Sequence, residues 1–348
     1  MKRMFWVAVI VLSVVVPCLA HAEAPSAAFV YIGPVGDMGW TWAHDQARQS
    51  LFKDAPFIEN VMPGDAERVI RDYASKGRNL VIATADNYNP DVLTVASEFP
   101  DVHFTVIEGF GMPYRPNVSH YFGRMYQPMF LAGLIAGKMT KTNNIGFVAA
   151  YNVNQVIKNI NGFALGVKAV NPDAKVHVVW TNTWFGPPQE KAAAEALLAA
   201  GSDVIAQHQD SAEPQKAAAE KGAFSIGYDS DMRKVVGDSV LVSAVWDWSK
   251  LYGMQQLLLD KGYTELPNIN PGLKSGVVGL SDFSPTVPPD LRTLVDGYRA
   301  KMTGGQFDVF CGPINDKAGK ERVAKDTCPS DAEIGNMDWF VDNVVVPQ

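Results

Sequence analysis

Short apolar runs alternate with segments of helical spacing along most of the chain. The helical segments include Ala66–Lys76, Pro90–Phe99, Val156–Val170 and Pro188–Ala200. The apolar runs are, in order, AAFVYI, NLVIAT, VHFTVI, NIGFVAA, VHVVW, SDVIAQ, AFSIGY and VLVSAV. Strands that alternate with helices at this rhythm form parallel sheets with helices on both faces. The sequence therefore predicts an α/β fold.

The order of these elements repeats along the chain. NLVIATADNYNP at 79–90 resembles SDVIAQHQDSAEP at 202–214, because in each an apolar run ends in a polar loop and a proline opens a helix. The 348 residues are too many for one ordinary core and suit two lobes of about 150 residues each. Ligands of open α/β sheets bind outside the carboxyl ends of the strands, so two facing lobes predict a cleft lined by strand-end loops.

The first 22 residues have the pattern of a secretory signal. Two basic residues precede the apolar run 5–16, and Ala20 and Ala22 form a small-x-small cleavage sequence. We therefore expect export, with cleavage after Ala22. The alternative is an uncleaved membrane anchor, for which the apolar run is short.

The charge of the mature chain restricts its partners. Removal of the signal lowers Lys plus Arg from 30 to 28 against 37 acidic residues, which leaves a net charge of −9. A negative chain of this kind is a poor match for nucleic acid or for an anionic membrane surface. We expect neither as a partner.

The chain has three cysteines. Cys18 follows Pro17, where a lipoprotein signal needs a small residue, so we expect no lipid anchor. Cys311 and Cys328 lie 17 residues apart in an exported chain, which makes them a candidate disulfide. Two free buried thiols remain the alternative.

The loop after the first apolar run carries an acid and a large aromatic among glycines. Gly36 and Gly39 allow the backbone to turn and to approach a ligand closely, Asp37 offers a carboxylate, and Trp40 offers a flat ring. Asp37 is also well placed to cap the following helix, and Trp40 could be a core residue of its first turn. Both alternatives stay open from the residues alone.

Similar groups follow most of the other apolar runs. Aromatic, amide and carboxylate side chains recur there, and the candidate ligand-binding residues are Asp37, Trp40, Asn87, Tyr88, Trp184, Phe185, Gln207, Asp210, Asp229 and Trp246. Together they suit a flat, uncharged ring that forms hydrogen bonds between aromatic faces. The loops bring no Lys/Arg cluster and no phosphate-binding motif, which disfavours phosphate.

Catalysis has little support in the sequence. It contains no HExxH motif, no GxSxG motif and no Cys/His cluster with metal spacing, so we expect no metal, no cofactor and no enzyme activity. The competing interpretation is an exported hydrolase that uses Asp37, Asp210 or Asp229. Turnover of a nucleoside would separate the two.

Several motifs resemble those of the basic membrane protein family, which contains substrate-binding proteins of ABC transporters. They are YIGPVGDMGWTWAHDQAR, YFGRMYQPMFLAGLIAGKMTKTNNIGFVAA, GFALGVKAVNPDAKVHVVWTNTWFGPPQEKAAAEALLAAGSDVIAQHQDS, GYDSDM and GPINDKAGK…MDWFVDNVV. The resemblance extends from about Ala28 to Val345. It implies a type I periplasmic binding protein with two Rossmann-like lobes, three crossovers between them and a ligand cleft.

The resemblance also implies lobe limits and partners. The N-terminal lobe would comprise residues 27–143 plus 247–278, and the C-terminal lobe residues 144–246 plus 279–348. The protein would be a periplasmic monomer that delivers a purine nucleoside or nucleobase to an ABC permease. A ligand-sensing receptor for a membrane partner is the alternative.

By analogy with purine nucleoside receptors, Trp40 and Trp184 would cover the two faces of the ring, with Phe185 beside Trp184. Asp229 would match the acid that binds ribose, and Asp37 would match a second ligand acid. Two features depart from those receptors. Trp246 replaces a lysine that reaches the sugar, and residues 207–210 replace a glycine-rich loop. Both lie at the ribose end, so a bare nucleobase or similar flat heterocycle is the expected ligand.

Overall fold

The structure, a computed structural model, describes residues 26–346. The predicted secretory signal lies outside these residues. In the part of the chain that is described, no helix is long and apolar enough to cross a membrane.

The first lobe is built on a parallel five-stranded sheet. Its strands lie in the order β2-β1-β3-β4-β5. They are β1 (Ala27–Val30), β2 (Phe57–Ile58), β3 (Leu80–Ala83), β4 (His103–Ile107) and β5 (Val118–Tyr121). The helices between them are α1 (Trp40–Leu51), α2 (Pro63–Ser75) and α3 (Asn89–Glu98), with a 3₁₀ turn at Asp86–Tyr88. All four residues of β1 and of β3 are buried, as expected for a parallel sheet covered on both faces.

The second lobe is built on a seven-stranded sheet. Its strands are β6 (Asn144–Ala149), β7 (Lys175–Trp180), β8 (Val204–His208), β9 (Phe224–Asp229), β10 (Val240–Trp246), β11 (Val278–Leu280) and β14 (Val344–Val345). They lie in the order β11-β10-β9-β8-β6-β7-β14, and only β11 runs antiparallel to its neighbour.

Helices and a small hairpin complete the chain. The helices are α4 (Tyr126–Met139), α5 (Asn154–Val170), α6 (Pro187–Ala199), α7 (Glu213–Glu220), α8 (Arg233–Val236), α9 (Ser249–Asp260), α10 (Pro289–Thr303) and α11 (Asp331–Gly335). A 3₁₀ turn spans Leu273–Ser275, and β12 (Ile314–Asn315) pairs antiparallel with β13 (Glu321–Val323). A disulfide joins Cys311 to Cys328 across this hairpin, with Cα atoms 4.2 Å apart.

The chain passes between the lobes three times: after β5, after β10 and before β11. Helix α9 returns to the first lobe, where the Tyr252 hydroxyl lies 2.7 Å from Nδ1 of His44 on α1. Three crossovers and two parallel sheets are the predicted architecture, and the fold prediction is confirmed.

Helix α4 packs closely on α5. A Cβ on Gly133 would lie 2.1 Å from the carbonyl oxygen of Phe163, and a Cβ on Gly166 would lie 2.0 Å from that of Phe130. Only glycine permits this approach of the two backbones. The lobe limit between residues 143 and 144 stays a prediction; α4 precedes that limit and packs on a helix that follows it.

Candidate ligand-binding site

A cavity lies between the lobes, at the carboxyl ends of strands from both sheets. Its aromatic walls come from Trp40, Phe122, Trp184 and Tyr228, and its polar groups from Thr84, Asp86, Gln155, His208 and Asp210. Ile32, Ala85 and Ile107 fill the remaining surface. Cavities with this mixed aromatic and polar lining are typical of sites for small molecules.

Trp40 forms the wall on the first lobe and is held from several sides. Its indole N–H donates to the carbonyl oxygen of Thr84 at 2.7 Å. Its ring packs edge-on against His44, Trp246 and Trp248, with centroid distances of 4.6, 5.7 and 5.3 Å. The ring is therefore fixed in place, because its N–H is bonded and its edges contact other rings.

Asp37 positions the helix that carries Trp40. One carboxylate oxygen accepts the backbone N–H groups of Gly39 and Trp42 at 2.8 and 2.9 Å, and the other accepts that of Thr41 at 3.0 Å. Both oxygens therefore serve the start of α1, which is the capping role that the sequence left open. Burial raises the pKa of Asp37 to about 6 even though these N–H groups oppose the shift. Asp37 does not itself line the cavity.

Trp184 forms the opposing wall on the second lobe, in the loop between β7 and α6. Its ring lies edge-on to Tyr151 at 5.1 Å and tilted against His208 at 6.1 Å. Phe185, the next residue, is exposed and is not among the residues that line the cavity. Trp184 therefore presents its ring to the cavity with fewer aromatic supports than Trp40.

Two acids of the second lobe lie at the seam between the lobes. Asp210 lines the cavity, whereas Asp229 is buried behind it. Neither Asp229 oxygen has a well-formed hydrogen bond to a described residue. Burial raises the pKa of both carboxyl groups well above the ordinary range, and the charge of Asp37 raises both further. The indole N–H of Trp246 opposes the shift at Asp229.

Trp246 supports the site from behind. Its ring stacks on Trp248 at 4.6 Å and packs against Phe122 at 5.2 Å, and it is not one of the cavity-lining residues. A side chain in this position occupies space that a lysine would need to reach a ligand. Trp246 therefore affects the cavity indirectly, because it packs against Trp40 and Phe122, which line it.

Three other predicted site residues lie away from the cavity wall. Tyr88 is buried in the core of the first lobe, and its hydroxyl donates to the carbonyl oxygen of Val61. Asn87 is exposed on the 3₁₀ turn. Gln207 is buried, and its amide donates to the carbonyl oxygen of Ser211 at 3.0 Å. Asn87 and Tyr88 lie in the connection between β3 and α3, as predicted, whereas Gln207 lies within β8 and not in the loop after it. The sequence did not show which way the three side chains point.

Several cavity residues were not among the predicted set, namely Phe122, Tyr228, His208, Asp86 and Gln155. His208 and Tyr228 form a pair: their rings stack at 4.4 Å, and the Tyr228 hydroxyl lies 3.1 Å from Nε2 of His208. Burial lowers the pKa of His208 to about 4, so its ring is neutral at neutral pH. The sequence signal for these two was their position at the ends of β8 and β9.

The lobes touch each other around the cavity. A Cβ on Gly39 would lie 2.3 Å from the carbonyl oxygen of Asp210, so this glycine permits direct backbone contact across the seam. The Ser230 hydroxyl donates to the carbonyl oxygen of Met38. Lys158 of α5 pairs with Glu108 of the first lobe at 3.0 Å. The structure therefore represents a closed arrangement of the lobes.

The cavity has the chemistry to hold a flat polar molecule. Neither Lys nor Arg is among its lining residues, which disfavours phosphate and other anions. Within residues 26–346, no cluster of His, Cys, Asp or Glu is arranged to hold a metal ion. Aromatic faces from both lobes and carboxyl groups at the edges remain as the binding elements.

The fold and this cavity define a two-lobed solute-binding protein. Residues 24–295 match the family described as ABC transporter substrate-binding protein, PnrA-like, and the chain belongs to that family. The resemblance predicted from the motifs is confirmed. Such proteins bind solutes outside the cytoplasm for a membrane permease and are not enzymes.

Two relatives cover most of the chain. A Haloferax volcanii protein named as an ABC transporter glucose-binding protein is 37% identical, with 84% of this chain and 76% of that protein covered. A purine-binding protein of Brucella abortus is 36% identical, with 93% of this chain and 94% of that protein covered.

Solved structures share the fold at lower identity. An ABC transporter solute-binding protein from Conexibacter woesei superposes with a TM-score of 0.67 at 24% identity, with 81% of this chain and 97% of that chain covered. An activator of the comK gene from Bacillus halodurans gives 0.70 at 23% identity, with 81% and 99% covered. These similarities support the two-lobed α/β architecture.

Proposed function

We propose that the protein captures a purine, as the free nucleobase rather than the nucleoside, and delivers it to an ABC permease. The observation that carries the proposal is the cavity itself: aromatic rings of both lobes face it, carboxyl groups stand at its edges, and its lining residues include no cation. A purine offers two flat faces for the rings and several hydrogen-bonding groups at its edge. The name of the Brucella relative supports the same ligand class.

The preference for a free base rests on the groups around Asp210. Gln207, His208 and Tyr228 are buried, and Trp246 fills the space behind Trp40 and Phe122. None of these four side chains is a cation that could reach sugar hydroxyls. Asp37, Trp40, Trp184, Asp210 and Asp229 are the residues that we expect to determine binding, the two tryptophans and Asp210 by contact and the other two by support.

The location and partners follow from the family and the leader sequence. We propose that a signal is removed after Ala22, that the mature protein is periplasmic and monomeric, and that it carries no lipid. The intact mass of the exported protein would test this directly: a mass that begins at Glu23 supports it, and added lipid on Cys18 contradicts it.

The ligand is tested in two steps. The purified protein is denatured, and the released small molecules are identified by mass spectrometry. The stripped protein is then titrated by calorimetry with adenine, guanine, hypoxanthine and xanthine and with their nucleosides. Tight binding of a base, and much weaker binding of its nucleoside, is the expected result. A nucleoside that binds more tightly than its base would overturn the nucleobase preference.

A sugar is the second candidate ligand, because the Haloferax relative is named for glucose. Aromatic rings and carboxyl groups can also hold a pyranose, whose hydroxyls donate hydrogen bonds to acids. Glucose therefore belongs in the same titration. Binding of glucose without binding of any purine would replace the purine proposal.

A further inference from the structure

Asp210 occupies an unusual electrostatic position in the cavity wall. It follows β8, lines the cavity and is only 8% exposed. Three other acids surround it: Asp229 at the end of β9, Asp37 across the seam and Glu190 on α6. Burial is the main cause that raises the pKa of Asp210 well above its ordinary value, and the three acids add to the shift.

The nearby hydrogen-bond donors and cations do not offset the rise in the pKa of Asp210. The backbone N–H of Trp40 opposes the shift at Asp210. The Asp37 carboxylate accepts three backbone N–H groups at the start of α1, and Glu190 accepts from Gly186 and Ser211. Lys158, whose ammonium lies 5.0 Å from the centroid of the cavity residue Phe122, is paired with Glu108. A buried carboxyl group among three acids avoids the cost of charge by keeping its proton.

Most of the other buried polar groups of the cavity already have hydrogen-bond partners, and Gln155 is only half-buried. The indole N–H of Trp40 donates to Thr84, and the Thr84 hydroxyl donates to the carbonyl oxygen of Val30. The Tyr228 hydroxyl and Nε2 of His208 form a hydrogen bond with each other. Asp86 lies in the exposed 3₁₀ turn, and one of its carboxylate oxygens accepts the backbone N–H of Asn87 at 2.8 Å. Asp210 is therefore the buried group of the wall that is best placed to recognise the edge of a ring.

We propose that Asp210 binds the ligand as a neutral carboxylic acid, donating one hydrogen bond and accepting another from a ring edge that offers an acceptor beside a donor. The amidine edge of a 6-aminopurine and the lactam edge of a 6-oxopurine have this pattern. An ionised carboxylate would instead require two donors on the ligand. Purines that are anions at neutral pH would be rejected by the surrounding acids. This inference rests on the proposed purine function and specifies its chemistry.

Asparagine and leucine distinguish the two states of Asp210. The amide of Asp210→Asn keeps one donor and one acceptor in nearly the same shape, whereas Asp210→Leu keeps neither. Titration with adenine, which does not change its charge between weakly acidic and weakly alkaline pH, should give Asp210→Asn an affinity close to that of the parent. Asp210→Leu should bind about tenfold to a hundredfold more weakly, the loss expected for two hydrogen bonds. Asp231→Asn, which changes an acid of the next loop outside the cavity, is the matched control.

The pH dependence gives a second readout. Above the pH at which Asp210 of the ligand-free protein loses its proton, the affinity of the parent for adenine should fall about tenfold per pH unit. Asp210→Asn has no proton to lose there and should show no such fall. Affinity of the parent that rises with pH would overturn the proposal, as would Asp210→Asn binding as weakly as Asp210→Leu, or Asp210→Leu binding as tightly as the parent.

A readout without ligand separates this inference from the proposed function. When the pKa of a carboxyl group is higher in the folded protein than in the unfolded chain, the free energy of unfolding decreases as the pH rises and the group ionises. The melting temperature of the ligand-free parent should therefore fall relative to that of Asp210→Asn as the pH rises from acidic to alkaline. Parallel melting curves for the two proteins would mean that Asp210 ionises without cost, whatever ligand the protein binds.

Discussion

The two aromatic walls of the cavity are built differently. Trp40, on the first turn of α1, has its N–H bonded to Thr84 and contacts the rings of His44, Trp246 and Trp248. Trp184 lies in a loop, and its ring contacts the rings of Tyr151 and His208 at 5.1 and 6.1 Å. Both rings are partly buried against the same core. The first begins a helix and has a bonded N–H and more ring neighbours, whereas the second is carried by a connecting loop.

This difference indicates that the two rings have different roles in ligand binding. A ring fixed by packing keeps its orientation in the absence of ligand, so it loses little conformational entropy on binding. A ring on a loop adapts to the ligand and loses more. We therefore expect the heterocycle to bind first on the preformed Trp40 face of the first lobe. Trp184 would then contact the other face of the ligand as the lobes close.

The largest effect should come from Trp40→Ala. Removal of this ring takes away both the stacking face and a core contact of Trp246 and Trp248. Large-to-small changes at packed aromatic residues cost about 3–5 kcal/mol of stability, with partly buried positions at the lower end. Loss of one stacked aromatic costs a further 1–3 kcal/mol or so of binding, which is about tenfold to a hundredfold in affinity. Thermal melts and calorimetric titration measure the two separately.

Trp42→Ala is the matched control for this variant. Trp42 lies two residues further along α1, packs against the same core and is not among the residues that line the cavity. It should lower the melting temperature with little change in ligand affinity. If Trp40→Ala melts like the parent, the first wall is not held by packing and the comparison fails.

A smaller and more selective effect should come from Trp184→Ala. The ring has few supports to lose, so the free energy of unfolding should change by about 1 kcal/mol or less. Ligand affinity should still fall by about tenfold to a hundredfold, because a stacking face is lost. Phe185→Ala, at the exposed neighbouring position, should change neither quantity. Unchanged affinity in Trp184→Ala would show that the ligand uses only the wall of the first lobe.

Much of the fold could be predicted because its signals are local. The alternation of apolar runs and helices, together with the repeated loop pattern at 79–90 and 202–214, indicated two parallel α/β units, and the motifs indicated the family. The packing of α4 on α5 depends on Gly133 and Gly166, which meet only in three dimensions. Nothing in the sequence near α4 shows which helix it will contact.

The site was predictable to the level of loops but not of side chains. Trp40 and Trp184 were identified because a large aromatic after a strand end is hard to explain otherwise. Tyr88 satisfied the same rule, yet its hydroxyl reaches Val61 inside the core. Phe122 was missed because an apolar ring directly after β5 has the pattern of a core residue. The direction of a side chain in such a loop depends on tertiary contacts, which a strand-and-loop pattern does not contain.

The smallest expected effect concerns Asp37, which starts the helix that carries Trp40. Asp37→Ala removes the acceptor of three backbone N–H groups and should cost about 0.5–2 kcal/mol of stability, as helix caps do. Asp37→Asn keeps one acceptor oxygen and should cost less. Ligand affinity should fall only slightly in either variant, because the carboxylate serves α1 and does not line the cavity.

The pH dependence sharpens this last test. Burial raises the pKa of Asp37 to about 6 in the folded protein, above its value of 3.8 in the unfolded chain. The folded state therefore holds the proton more tightly, and the parent should lose stability relative to Asp37→Asn as the pH rises from 4 to 6. Denaturant unfolding of both proteins across this range measures the difference. A large loss of affinity in Asp37→Asn, with stability unchanged, would instead assign the carboxylate to the ligand, and the first wall would then recognise the ring by hydrogen bonding as well as by packing.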